Sequence, residues 1–71
     1  MIHVVWKRNH DGLLEAFTVH KGKRNPIFQW IGVVDGNMWT LADTEFRSHR
    51  AASESAAMTD LVEAFQKGVP V

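Results

Sequence analysis

The stretch from Ile27 to Ala42, IFQWIGVVDGNMWTLA, decides the fold. Two runs of strand-favouring residues flank Asp35-Gly36-Asn37, and Asp-Gly between such runs is a strong hairpin signal because both turn residues tolerate positive φ. Centring the turn on Asp35-Gly36 sets Trp39 opposite Gly32 and Leu41 opposite Trp30. An aromatic ring then covers backbone that a strand glycine leaves bare. Strand three thus begins at Ile27, and strand four covers Met38 to Ala42.

Towards the N-terminus, Gly22-Lys23-Arg24-Asn25-Pro26 is a polar loop closed by proline. With His20 facing Ile27, Val19 meets Phe28, Phe17 meets Trp30 and Leu13 meets Val34, so strand two covers Leu13 to Lys21. Before it, Ile2, Val4 and Trp6 alternate with His3, Val5 and Lys7, the period of a strand with one buried face. Asn9-His10-Asp11-Gly12 turns the chain. A two-residue turn at Asp11-Gly12 pairs Val4 with Val19, Val5 with Thr18, Trp6 with Phe17 and Arg8 with Glu15. Such cross-strand pairs contribute about 0.2–1 kcal/mol each.

Towards the C-terminus, the residues after Asp43-Thr44-Glu45-Phe46 read as a helix with Ser48 as N-cap, Gly68 at C′ and Pro70 beyond. Ala51, Ser55, Met58, Leu61, Val62 and Phe65 form its apolar stripe at helical spacing. The predicted fold is α+β: a four-stranded antiparallel meander with one C-terminal helix packed on one face, ββββα, in a single domain over residues 1–71. Its expected core is Ile2, Val4, Trp6, Leu13, Phe17, Val19, Phe28, Trp30, Val34, Trp39, Leu41, Met58, Leu61, Val62 and Phe65. Glu15 and Glu54 share that parity, and Arg8 and Arg50 are expected to hold them at the rim.

A chain of 71 residues buries only roughly 60% of its unfolded surface, so its stability is expected to be marginal. It has no cysteine, which removes disulfides and thiolate metal sites. No apolar run approaches a membrane span, and Met-Ile-His-Val-Val-Trp-Lys lacks the charged start and apolar core of a signal peptide. A soluble, cytoplasmic protein is expected. Eight basic and eight acidic residues give a formal net charge of zero, so any electrostatic function must come from local clustering.

The outward parity of the sheet collects Val5, Leu14, Ala16, Ile27, Ile31, Val33 and Met38 beside His3, Thr18, His20, Gln29 and Thr40. The solvated face of an antiparallel sheet normally reads polar. Contiguous exposed apolar surface marks an interaction site, although β-branched residues are also simply good strand formers. Val5, Leu14, Ile27, Ile31, Val33 and Met38 are therefore the candidate interaction face, open to a protein partner or to a second copy in a homodimer. The two sheet edges offer a further route by strand addition.

A basic pole is the second candidate. In an up-and-down meander Lys21, Lys23 and Arg24 approach the helix start, with Arg47, His49 and Arg50. Cations there oppose the helix macrodipole at a cost of about 0.3–1 kcal/mol, which an anionic ligand would offset. The first register also sets His3 opposite His20. Two ligands fall short of a zinc site and no carboxylate joins them at outward parity, so no metal and no cofactor is expected. No Gly-x-Ser-x-Gly elbow, phosphate loop or His-Glu-x-x-His occurs, and Asp43, Ser48 and His49 at a helix start do not make a triad. No enzymatic activity is expected.

Gly36-Asn37-Met38-Trp39 followed by Phe46-Arg47-Ser48-His49-Arg50-Ala51-Ala52 resembles the ending of small sheet-plus-helix modules, in which a strand, a Phe-x-Ser/Thr step and an alanine-rich helix follow one another. Among these are the arm-binding N-terminal domains of phage integrases and the AP2-like DNA-binding domains. The resemblance covers about half the chain and implies a sheet packed on a helix, with DNA as partner. DNA readers carry basic and polar residues across the exposed strands. Here those positions read Val5, Leu14, Ile31 and Val33, so no residue role is carried over. In size and in lacking cysteine and catalytic motifs, the chain also resembles by type the small accessory proteins of phages and mobile elements. The leading expectation is a non-enzymatic protein-interaction module, a phage-type inhibitor or adaptor. Nucleic-acid binding at the basic pole and a structural homodimer subunit are the alternatives.

Overall fold

The computed structural model describes residues 3–42 and 47–68. The expected core residue Ile2, the segment Asp43-Thr44-Glu45-Phe46 and the tail Val69-Pro70-Val71 lie outside the described residues. The chain forms β1 (Val4–Arg8), β2 (Leu14–His20), β3 (Ile27–Asp35), β4 (Met38–Leu41), β5 (Ser48–Arg50) and α1 (Glu54–Gly68). The strands make one antiparallel sheet in the order β1-β2-β3-β4-β5, and α1 packs across one face on β3 and β4. The expected α+β meander is present, extended by a short fifth strand. No helix among the described residues is long and apolar enough to cross a membrane.

The first hairpin departs from the expected two-residue turn, and the departure inverts β2. Asn9 N–H donates to Leu13 O (2.8 Å) and Gly12 N–H to Asn9 O (3.0 Å), with Gly12 at φ 85°. This is a three-residue loop, a tight turn followed by a left-handed glycine. The Asn9 side chain fixes it: Oδ1 accepts from the N–H groups of Asp11 (2.9 Å) and Leu13 (3.0 Å). In the resulting register Val4 faces Thr18, Trp6 faces Ala16 and Arg8 faces Leu14. Because side chains alternate along a strand, a one-residue slip sends every residue of β2 to the other side. Leu14, Ala16 and Thr18 therefore point into the core, and Glu15, Phe17 and Val19 point away from it.

The β2–β3 register holds at one end and slips at the other. His20–Ile27, Val19–Phe28 and Phe17–Trp30 pair as expected, but Ala16 faces Gly32 and Leu14 faces Val34. One extra residue, Ile31, is thus accommodated in β3 opposite the Ala16/Phe17 step. This bulge lets Trp30 stay on the outer side with Phe17 while Ile31 turns into the core, where it is 2% exposed. The second hairpin also shifts. Its turn residues are Gly36 and Asn37, Gly36 lies at φ 61°, and Trp39 faces Val34 while Leu41 faces Gly32.

The observed core is Leu14, Ala16, Ile31, Val34, Ala57 and Leu61, with Val4, Trp6, Trp39, Leu41, Ala51, Met58 and Phe65 packed against it. At Gly32 the helix comes close to the sheet. A Cβ built there would lie 2.5 Å from the Thr40 carbonyl oxygen and 2.9 Å from Leu61 Cδ1. Leu61, rather than an aromatic ring on β4, covers the bare backbone.

The helix starts at Glu54, not after Ser48. Ser53 is its N-cap, since Ser53 Oγ accepts from Ala56 N–H (3.1 Å) and Ser53 O from Ala57 N–H (2.9 Å). Glu54 then sits in the first turn and Lys67 in the last, both favourable to the macrodipole. Residues 48–50 are held as a strand by their neighbours. His49 stacks on Trp39 with ring centroids 4.4 Å apart, the Ser48 and Thr40 hydroxyls are 2.8 Å apart, and Asn37 and Ala51 exchange hydrogen bonds. Arg8 holds Glu54 at 3.3 Å, and Glu15 stands opposite Lys7 on the other face.

Candidate interaction face

The register shifts rebuild the outer face of the sheet. From β1 it receives Val5 and Lys7, from β2 Glu15, Phe17 and Val19, and from β3 Phe28, Trp30 and Val33. Phe17 stands between Val5 and Trp30, and Val19 beside Phe28. Phe28 is 56% and Trp30 42% exposed. Their exposure has a simple cause. β4 pairs with β3 only over Gly32–Asp35, so Phe28 and Trp30 have a paired strand on the β2 side alone among the described residues. Val5, Lys7, Phe17 and Phe28 line a shallow hollow on this face.

The expected face is corrected in part. Leu14 (8% exposed) and Ile31 (2% exposed) are core residues, the first because of the hairpin slip and the second because of the bulge. Val5 and Val33 are half-buried on the outer face as expected, and Met38 is half-buried there between Asp35 and Arg50. Ile27 is 56% exposed, but it pairs with His20 at the helix-side parity, beyond the reach of α1. In their place stand Phe17, Val19, Phe28 and Trp30, all expected in the core. Two signals in the sequence point to this arrangement. Asn9 ahead of Asp11-Gly12 suits a three-residue loop, and Gly32 within a strand marks a bulge or a close approach.

The basic pole does not assemble around the helix start. Lys21, Lys23 and Arg24 are exposed in the β2–β3 loop, at one end of the sheet. The helix starts at the other end, where Glu54 meets Arg8. Arg47 precedes β5 at the loop's end of the sheet but two strands away from β3, Arg50 lies at the far end opposite Met38, and His49 turns inward onto Trp39. His3 and His20 are not opposite each other either. Val19 N–H donates to His3 O (3.2 Å), and the His20 ring bonds the buried Thr18 hydroxyl at 2.9 Å on the helix side. Among the described residues no group of three or more His, Asp or Glu is placed to hold a metal ion.

The outer face and the basic loop meet at Val19. A groove of about 380 Å³ at the loop end of the sheet is lined by His3 and Val19 of the outer face, by His20 of the helix side and by Lys21, Arg24, Asn25 and Pro26 of the loop. The arrangement can thus offer a flat aromatic surface with cations along one end. In comparisons with protein families, with characterised proteins and with solved structures, nothing matches this chain.

Proposed function

We propose that this chain is a cytoplasmic, non-enzymatic protein-interaction module that docks a partner through the outer face of its sheet, acting as an inhibitor or adaptor by covering a surface of that partner. One observation carries the reading: Phe28 and Trp30 stand 56% and 42% exposed beside Phe17, Val5 and Val19 on a face that the helix leaves open. Aromatic side chains dominate the energetics of protein contacts, and Trp is among the residues most enriched at interface centres. A contiguous apolar patch on a small domain marks such a site. The face now differs in composition from the aliphatic one expected, and the change favours a contact surface because large rigid rings give much area at low entropic cost.

The test is co-purification from the native host with the wild-type chain and with Phe28→Glu/Trp30→Lys as paired baits. A partner retained by the wild type and lost by the variant, with both chains giving the same circular dichroism spectrum, is the expected result. The same proteins on both baits would refute the reading.

A further inference from the structure

We infer that the partner is a protein whose apolar contact patch is bordered by carboxylates, and that those carboxylates meet Lys21, Lys23 and Arg24; this rests on the reading of the outer face as a protein-docking surface. The three cations stand exposed on one short loop and form no ion pair among the described residues. The described acidic groups lie elsewhere. Glu54, Asp60 and Glu63 are on the helix, Asp11 and Asp35 are at the hairpin tips of the opposite end, and Glu15 faces Lys7. Val19, which pairs with Phe28 on the apolar face, also lines the groove bordered by Lys21 and Arg24. A partner seated on Phe17, Phe28 and Trp30 therefore reaches the cations at its rim. Complementary rim charge fixes register and raises the association rate more than it adds affinity.

Nucleic acid fits less well. Single-stranded binders pair stacking aromatics with a cationic groove that follows the backbone. Here three cations cluster at one end, Lys7 and Arg50 stand with Glu15 and Asp35 towards the other, and the net charge is zero. A second copy laid the same way round would bring one cationic end onto another, and laid the other way round would meet Glu15 and Asp35 with Lys7 and Arg50 beside them, a mixed surface with no excess of carboxylate.

The intact chain, immobilised, is screened against a random peptide display library, with Trp30→Lys screened in parallel. Peptides recovered by the wild type and not by the variant are expected to be apolar with an excess of Asp and Glu. Made synthetically, they should lose about tenfold in affinity against Lys21→Glu/Lys23→Glu/Arg24→Glu, with most of the loss in association rate. Face-dependent peptides without acidic excess, or indifferent to charge reversal, overturn the inference and leave the docking face standing. Identical recovery by wild type and Trp30→Lys overturns both. Tighter binding of an oligo-dT strand than of any peptide, or self-association in sedimentation that Trp30→Lys abolishes, assigns the face to another occupant and overturns the inference.

Discussion

Phe17 on β2 stands directly opposite Trp30 on β3, whereas one position along β2 Ala16 stands opposite Gly32. Between these two pairs the sheet changes register, and with it the chain sorts its large side chains. Trp30 goes to the outer face and Ile31 to the core. The helix can then lie close over small residues, Ala16 and Gly32, with Ala57 and Leu61 against them. The rings that would have been too large for that gap are left outside.

Asn9 sets the first register, because its side chain satisfies two backbone donors that a three-residue loop leaves over. Asn9→Ala is expected to cost about 1 kcal/mol, the net worth of such bonds. In a two-residue turn Asn9 would be an ordinary strand residue, and the substitution would be nearly silent. Denaturant melts distinguish the two.

Gly32 has no room for a side chain. Gly32→Ala places a Cβ against the Thr40 carbonyl and Leu61 and is expected to destabilise by about 1–3 kcal/mol. For a domain of this size each kcal/mol lowers the melting temperature by roughly 4–8 °C. Because the closer contact is backbone, adding Leu61→Ala should not rescue it.

Ser53 takes the capping role expected of Ser48. Ser53→Ala removes the helix cap and should cost about 1 kcal/mol, visible as lost helical signal at moderate temperature. Ser48→Ala removes one exposed hydroxyl pair with Thr40 and should cost only about a few tenths of a kcal/mol.

The layout was legible in the sequence where local signals were strong. The one-faced alternation of Ile2 to Arg8, the Asp35-Gly36-Asn37 turn signal, whose centre falls one residue later than expected, and the alanine-rich C-terminus give sheet and helix in the right order. The Val19–Phe28 and Phe17–Trp30 pairs were also found. What was not legible is which side of the sheet the helix would choose. That depends on one residue in a loop and one in a bulge, and each moves a whole strand face while changing little in local propensity. Hydrophobicity alone places the rings of Phe17, Phe28 and Trp30 inside; the helix instead packs on the small side chains that allow close approach. The helix start was missed for a related reason. Arg47 and Arg50 opposed the macrodipole of a helix beginning at Ser48, and that conflict pointed to a later start at Ser53-Glu54 rather than to a bound anion.

Adjacent residues on β3 give the most direct test, since Trp30 and Ile31 lie on opposite sides of the sheet. Lysine is placed at each in turn, and thermal unfolding is followed by circular dichroism. Trp30→Lys is expected to melt within a few degrees of the wild type. Ile31→Lys buries a charge at a site 2% exposed and is expected to cost at least about 4 kcal/mol, enough to abolish cooperative unfolding in a domain of marginal stability. The reverse order, with Trp30→Lys unfolded and Ile31→Lys unaffected, would place the aromatic face under the helix and contradict the docking surface.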